Sequence, residues 1–194
     1  SVQMSMTRRL IAALVAVVLA IGMIAATGCS GAGGSGDTGA EGEKDPYVIG
    51  AVLSLTGAQA GLGTPERNAI EMEVARINEE GGINGHPLEV IIEDDASDVD
   101  QAIAATTKLI EQDEVLAIIG STGSGQSMAM RDEIDLAQVP QVSLGSGSVI
   151  TREFDPLVFQ TPWTADLIVP LALQYIADQG YKNVGLITED TGFG

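Results

Sequence analysis

The sequence predicts an α/β fold, a doubly wound parallel sheet of the Rossmann-like type. Short runs rich in Val, Ile and Leu alternate with longer stretches of helical periodicity from residue 47 onward. Strands that alternate with helices in this way form parallel sheets with right-handed crossovers. Two of the runs, at 115–127 (VLAIIGSTGSGQS) and 139–148 (VPQVSLGSGS), end in loops built almost wholly of Gly, Ser and Thr. At the carboxyl ends of parallel strands, such loops offer backbone amides and hydroxyls to a ligand.

Residues 1–28 have the layout of a secretory signal peptide. Two arginines precede an unbroken apolar run at 10–26, and small residues follow up to Cys29. An uncleaved membrane anchor is the alternative, since this run is near the lower length limit for spanning a bilayer. The ATGC sequence that ends at Cys29 resembles a bacterial lipobox, in which the cysteine is lipidated, although Ala26 stands where Leu is usual. We therefore expect a lipid anchor on Cys29, which is the only cysteine and can form no intramolecular disulfide.

The segment after Cys29 has the composition of a linker. Residues 29–45 are rich in Gly, Ser and acidic residues and have almost nothing to bury, so we expect a disordered tether.

The formal net charge of the chain is −18. A chain this acidic does not attract nucleic acid or anionic lipid through its general field. The charge favours solubility and does not select a ligand.

The folded part divides into an N-terminal α/β lobe at 46–162 and the start of a second α/β lobe, cut short, at 163–194. Strands are predicted at 47–53, 88–93, 115–119, 139–143, 157–161 and 184–188. Three helices are predicted between the first four strands, and a fourth runs from shortly after Trp163 to about Gln179. Pro170 makes the start of this last helix ambiguous, because proline either begins or kinks a helix.

The helix boundaries rest on local sequence patterns. Thr64 is predicted to cap the first helix, with Pro65 in its first turn and two glycines at its end. Asp98 and Gln101 match a capping pair for the second helix. The third is predicted at 127–137, and of its two methionines we expect Met128 in the core and Met130 on the surface.

Several segments together resemble the leucine/isoleucine/valine-binding protein family: IGAVLSLTGAQAGLG, ARINEEGGINGHPLEVIIEDDASDVDQAIAATTKLI, IIGSTGSG, PQVSLGSGS, FQTP and GFG. The resemblance covers residues 47–194. Members of this family are type I periplasmic binding proteins, extracytoplasmic receptors that deliver branched-chain amino acids and related small molecules to ABC importers. They consist of two lobes that close on the ligand. The resemblance implies a small-molecule ligand, an ABC permease as partner, and neither catalysis nor a cofactor.

The resemblance also implies which residues contact the ligand. These positions are Ser124, Gly145, Ser146, Gly147, Ser148, Leu62 and Phe193. The first lobe of the family holds the ligand carboxylate with amides and hydroxyls, and Ser124 falls at the carboxylate-binding hydroxyl. Thr is frequent in the family where Gly147 stands, so Ser148 is a candidate to replace its hydroxyl. Leu62 falls where an aromatic lid is common, and Phe193 falls where a Tyr lines the site from the second lobe.

The residues fit catalysis and metal binding less well than ligand binding. A Ser/His hydrolase would need His86, the only histidine, beside Ser124, but His86 lies in a predicted turn. The acidic residues after the second strand (Asp94, Asp95, Asp98 and Asp100) fit no EF-hand spacing, so capping and solvation explain them better than a metal. Trp163 is expected to pack at a hinge or to form a pocket wall.

Two alternatives keep the fold and change the role. One is the extracellular ligand-sensing domain of a receptor, and the other is an importer receptor for a small amide. Anchoring through a cysteine, without a following transmembrane helix, argues against the sensing domain.

Overall fold

The computed structural model describes residues 44–193. In chain order the elements are β1 (Tyr47–Leu53), α1 (Ala60–Glu79), β2 (Leu88–Asp94), α2 (Val99–Glu111), β3 (Ile118–Gly120), α3 (Ser124–Ala129), α4 (Arg131–Ala137), β4 (Gln141–Ser143), α5 (Val149–Arg152), β5 (Val158–Gln160) and α6 (Ala165–Asp178). The predicted signal peptide, Cys29 and the tether up to residue 43 lie outside the described residues. No helix within residues 44–193 has the length and apolarity that a bilayer crossing requires.

The strands form one parallel sheet in the order β2-β1-β3-β4-β5. In the register of β1 with its neighbours, Gly50 pairs with both Ile91 of β2 and Ile118 of β3. Gln141 of β4 pairs with Ile118 on one side and Val158 on the other. Because β1 and β3 are adjacent while β2 lies on the outer side of β1, the order reverses between β1 and β3. The predicted doubly wound α/β architecture is confirmed.

Helices lie on both faces of the sheet. Successive side chains of a strand point to opposite faces, so each strand contacts both layers of helices. Ile49 and Ile119 point to the face that carries α1. On the opposite face Leu109 of α2 lies against Gly50, where a Cβ would stand only 2.8 Å from its Cδ1 atom. The main hydrophobic core lies on this second face and consists of Val52, Ala102, Ala105, Leu109, Val115, Ile118, Met130, Ile134, Ile150 and Val158.

The strand predictions hold for five of the six segments, with shifted ends. β3 begins at Ile118 instead of residue 115, although Val115 is buried in the core. The prediction of a sixth strand at 184–188 is wrong: this segment forms no strand, and Ile187 is 97% exposed. A strand needs a neighbour for its backbone hydrogen bonds, and in the described part of the chain nothing pairs with this segment.

The start of α1 differs from the prediction. Thr64 is not the cap, because the helix begins at Ala60 and Pro65 lies inside it. The preceding loop is fixed by Ser97, whose Oγ accepts a hydrogen bond from Gln59 N (2.9 Å) and donates one to Thr56 O (2.8 Å). The chain can therefore turn into a helix before the proline, at the loss of one hydrogen bond in the second turn. The glycines at the other end, both with positive φ, terminate the helix as predicted.

Among the remaining helices, the predicted cap of α2 is confirmed and the predicted third helix is corrected. Asp98 caps α2, accepting a hydrogen bond from Gln101 N at 2.9 Å. The predicted helix at 127–137 is two helices, α3 and α4, which meet at Met130. Met130 is fully buried, contrary to the prediction, because the junction turns it into the core, whereas Met128 is partly buried and packs against the core. Trp163 is 76% exposed, and its place at a hinge or in a pocket wall stays a prediction.

Candidate ligand-binding site

Two Gly/Ser loops lie side by side at the carboxyl edge of the sheet. Loop A (residues 121–124) follows β3 and ends at the first residue of α3, and loop B (residues 144–148) follows β4. β3 and β4 are hydrogen-bonded neighbours, so their carboxyl ends meet at one edge. Neither loop contains a charged residue. The structure thus brings together the two loops that the sequence singled out.

Direct hydrogen bonds join the two loops. The hydroxyl oxygen of Ser124 accepts a hydrogen bond from Gly147 N at 2.9 Å, and Leu144 N donates to Ser121 O at 3.2 Å. A Cβ on Gly145 would stand 2.9 Å from Ser124 Cα, and one on Gly147 would stand 2.9 Å from Ser124 Cβ. Glycine at both positions lets loop B approach Ser124 this closely.

The site lies where the strand order reverses, which is where open α/β sheets bind ligands. Across this crevice the hydroxyl of Thr122 accepts a hydrogen bond from Ser54 N at 3.0 Å, which joins the ends of β1 and β3. The Gln126 amide group donates to Gln59 Oε1 at 3.3 Å, joining α3 to the loop after β1. Thr122, Gln126 and Gln59 were not among the predicted site residues. Thr122 lies two residues after the third strand, a position that could have identified it, whereas Gln59 and Gln126 lie farther along the chain.

An acidic side chain lies behind loop A. Glu66 of α1 accepts a hydrogen bond from the Thr122 hydroxyl at 2.5 Å. Partial burial raises the pKa of the Glu66 carboxyl above its ordinary value, and the nearby charge of Asp95 raises it further, whereas the hydrogen bond from Thr122 opposes both. Loop A is therefore connected to a group whose charge depends on pH.

The acidic residues after β2 are more structural than the sequence suggested. Asp98 is a helix cap, as predicted, but Asp94 and Asp95 are not simply solvated. Asp94 accepts hydrogen bonds from Leu55 N (2.9 Å) and from the Thr56 hydroxyl (2.7 Å), so it fastens the loop after β1 to the end of β2. Asp95 is fully buried. The burial of Asp95 was not predicted, because a run of acidic residues in a sequence normally indicates an exposed segment. Only the fold places Asp95 beneath two loops.

The other predicted ligand contacts lie at the rim of the site or farther away. Ser146 and Ser148 are partly exposed. Leu62, in the first turn of α1, is 59% exposed, and Phe193 is 55% exposed. The residue before Phe193 lies against α3: a Cβ on Gly192 would stand 2.5 Å from the Cα atom of Gly125.

The residues that a Ser/His hydrolase would need are not brought together. His86 precedes β2, at the amino edge of the sheet, where its ring stacks on Tyr47 at 4.5 Å and its Nδ1 lies 2.8 Å from Asp45 O. Ser124 lies at the opposite edge, so the two cannot form a nucleophile and base pair. Within residues 44–193 no cluster of three His, Cys, Asp or Glu side chains could hold a metal ion.

Comparisons with known proteins agree with this geometry. The sequence profile of the periplasmic binding protein family matches residues 46–194. The Leu/Ile/Val-binding protein homolog 7 of Brucella abortus (strain 2308) is 30% identical over 156 residues, which cover 75% of this chain and 39% of the relative. The chain therefore spans well under half the length of that relative.

Solved structures show the same fold. The branched-chain amino acid transporter substrate binding protein LivJ of Streptococcus pneumoniae, in complex with isoleucine, is 28% identical with a TM-score of 0.60. The match covers 62% of this chain and 34% of that protein. An ABC transporter solute binding protein of Rhodopseudomonas palustris, in complex with 4-hydroxybenzoate, is 27% identical with a TM-score of 0.68, over 77% of this chain and 40% of that one.

The family match extends over most of the chain and includes both loops of the candidate site. Together with the five-stranded parallel sheet, it establishes that the chain belongs to the periplasmic binding protein family.

Proposed function

We propose that this protein is the extracytoplasmic substrate-binding component of an ABC importer, with a branched-chain or related amino acid as its ligand. The relative named as a Leu/Ile/Val-binding protein homolog and the isoleucine-bound structural neighbour support this ligand class. In this proposal the protein performs no chemistry. Ligand between two lobes stabilises a closed form, and the transporter distinguishes that form from the open one.

One observation carries the proposal: the hydroxyl of Ser124 has a proton to donate. Its oxygen accepts the hydrogen bond from Gly147 N, so its own proton is not used in joining the loops. A ligand carboxylate at the junction of the loops would receive this proton together with backbone amides. Such charge-assisted hydrogen bonds each contribute about 1.5–3 kcal/mol. No Arg or Lys is needed, in agreement with the uncharged loops.

The remaining assignments belong to the same proposal. Ser146 and Ser148, both partly exposed, would supply further hydroxyls from loop B. Leu62 and Phe193 would cover the ligand from the two sides of the crevice. Cys29 would carry a lipid that holds the protein at the outer face of the membrane, with residues 29–45 as the tether and the ABC permease as the partner.

The test is a ligand screen by thermal shift on the full-length mature protein. The panel contains the twenty amino acids, 4-hydroxybenzoate, small amides and polyamines. We expect a concentration-dependent rise in Tm with leucine, isoleucine or valine. Ser124→Ala should weaken binding of that ligand about tenfold or more, since a hydrogen bond to a charged group is lost. Thr107→Ala is the matched control, because the Thr107 hydroxyl bonds only to Ile103 O within α2.

Other outcomes separate the alternatives. The 4-hydroxybenzoate complex of the structural neighbour favours an aromatic carboxylate as second candidate. A rise in Tm only with 4-hydroxybenzoate, again weakened by Ser124→Ala, would keep the carboxylate site and replace the ligand class. A rise only with amides or polyamines would reject the carboxylate site. No rise with any compound would contradict the proposal and favour a sensing domain with another ligand.

A further inference from the structure

Asp95 is a fully buried carboxylate at the end of β2. It accepts hydrogen bonds from the hydroxyl of Ser54 (2.6 Å), from Ser97 N (2.8 Å) and from the hydroxyl of Ser121. In the described part of the chain no Lys, Arg or His forms an ion pair with it. Its three partners lie after β1, after β2 and in loop A, so one carboxylate joins the ends of three adjacent strands.

A buried series of hydrogen bonds continues from Ser121 to loop B. The Ser127 hydroxyl of α3 donates to Ser121 O at 3.0 Å, and the Ser143 hydroxyl at the end of β4 donates to Ser127 Oγ at 2.7 Å. Gly145 N in loop B then donates to Ser143 Oγ at 3.1 Å. All three serines are completely buried. The Ser127 and Ser143 hydroxyls each donate one hydrogen bond and accept one. Ser121 donates through its hydroxyl and accepts through its backbone carbonyl, so the direction of every hydrogen bond in this serine relay is defined.

We infer that Asp95 is the positioning residue of the ligand site: it fixes loop A directly and loop B through the serine relay. This inference rests on the proposed function, in which the two loops bind the ligand. A carboxylate can only accept hydrogen bonds, so it sets the orientation of the Ser121 hydroxyl and thereby of the loop backbone. Removing it would leave the buried Ser121 hydroxyl without its acceptor, and the Ser54 hydroxyl with only its longer hydrogen bond to Gln59 Oε1 (3.3 Å). Loops that are fixed before binding cost less entropy when the ligand arrives.

The first experiment measures amide hydrogen exchange, which needs no ligand. In the full-length protein, Asp95→Ala should raise the exchange rate in residues 143–148 about tenfold or more, because the relay loses its fixed end. Asp95→Asn retains one acceptor oxygen for Ser54 and Ser97, and its amide can face Ser121, so it should restore protection to within about threefold of the wild type. The control is Asp155→Asn, which breaks an ion pair with Arg131 (2.9 Å) before β5, at the amino edge of the sheet.

The second experiment measures binding at a temperature where every variant is folded. The probes are isoleucine and 4-hydroxybenzoate, and the Kd is taken from calorimetry. For the probe that the wild type binds, Asp95→Ala and Ser127→Ala should each raise the Kd about tenfold. The double variant should raise it little more than either one, because both changes break the same relay. Asp155→Asn should leave the Kd within about twofold of the wild type.

The two readouts keep the inference and the proposed function apart. If Asp95→Ala lowers the Tm as Asp155→Asn does, and exchange in residues 143–148 stays at the wild-type rate, Asp95 is only a structural residue and the inference is wrong. Additive effects of Asp95→Ala and Ser127→Ala on the Kd would equally contradict the relay. If neither probe binds the wild type, the proposed ligand class fails, and the exchange experiment still decides whether Asp95 fixes the loops.

Discussion

At the scale of single residues, loop A depends on two acidic side chains that lie behind it. Asp95 accepts a hydrogen bond from the Ser121 hydroxyl, and the partly buried Glu66 accepts one from the Thr122 hydroxyl. Burial and the charge of Asp95 raise the pKa of Glu66. The folded protein therefore holds a proton on Glu66 more tightly than the unfolded chain does. Folding stability is linked to pH through this difference.

The direction of that pH dependence can be tested with Glu66→Gln. Because the pKa of Glu66 is raised in the folded state, its contribution to stability is fully present below its unfolded pKa and is lost as the pH rises through its folded pKa. We expect the free energy of unfolding of Glu66→Gln, relative to wild type, to increase between pH 4 and pH 7. Urea denaturation at several pH values measures it. Glu79→Gln removes an exposed carboxyl from the same helix and controls for the lost charge. A difference that falls with pH would show that Glu66 is stabilised as the anion.

Residue types alone indicated part of the site. The uncharged Gly/Ser composition of loops A and B, together with the rule that parallel strands end at one edge, predicted that both loops lie at the ligand-binding edge. The family resemblance, not the composition, singled out Ser124, Gly145 and Gly147 within them. The burial of Asp95 was not predictable in that way. Its partners Ser54 and Ser121 are distant in sequence and meet only because β1 separates β2 from β3. Tertiary hydrogen bonds of this kind leave no local pattern in the sequence.

At the scale of elements, α1 shows how tertiary contacts override a local helix signal. Thr64-Pro65 is a common helix start, yet the helix begins at Ala60 because the preceding loop is fastened to the end of β2. Proline occupies the sixth position in α1 and again in α6, as Pro65 and Pro170. At that depth a proline removes one helical hydrogen bond. The sequence pattern therefore located α1 correctly and misplaced its first turn.

The early start of α1 makes a sharp prediction for two glycines in its first turn. A Cβ on Gly63 would stand 2.1 Å from Ser54 O, a backbone atom, whereas a Cβ on Gly61 would have no neighbour within 4 Å. We expect Gly63→Ala to lower the free energy of unfolding by about 1–3 kcal/mol, since helix and strand must separate. Gly61→Ala should raise it by up to about 1 kcal/mol, because alanine favours the helix.

Urea denaturation of the two variants, two residues apart on one helix, measures both effects. Equal changes in the two variants would mean that α1 does not approach β1 as the structure has it. A helix that began at Thr64 would place both glycines in a loop and would remove the contrast.

At the scale of the whole molecule, the two ends of the described chain differ in how much they pack. The sheet and helices α2 to α5 enclose the core, and the strand order alone places the candidate site at the reversal between β1 and β3. Helix α6, in contrast, has no buried residue, although Leu167 and Leu171 are among its exposed apolar side chains. An apolar groove of about 530 Å³, lined by Ile119, Val142 and Leu144 among others, also lies open beside α1. The sequence predicted the five strands of the packed part, because there the local pattern and the tertiary contacts agree.

This contrast predicts how shortened chains behave. A fragment of residues 44–162 should unfold in urea with a free energy within about 1 kcal/mol of that of residues 44–193, because removing α6 uncovers no core residue. It should also bind less of the dye ANS, since the exposed apolar side chains of α6 are gone. A fragment that ends at residue 155 is the control, because it lacks β5 and the core residue Val158 and should lose cooperative unfolding. If residues 44–162 instead fail to fold, the segment from α6 onward stabilises the lobe through contacts beyond those of buried side chains.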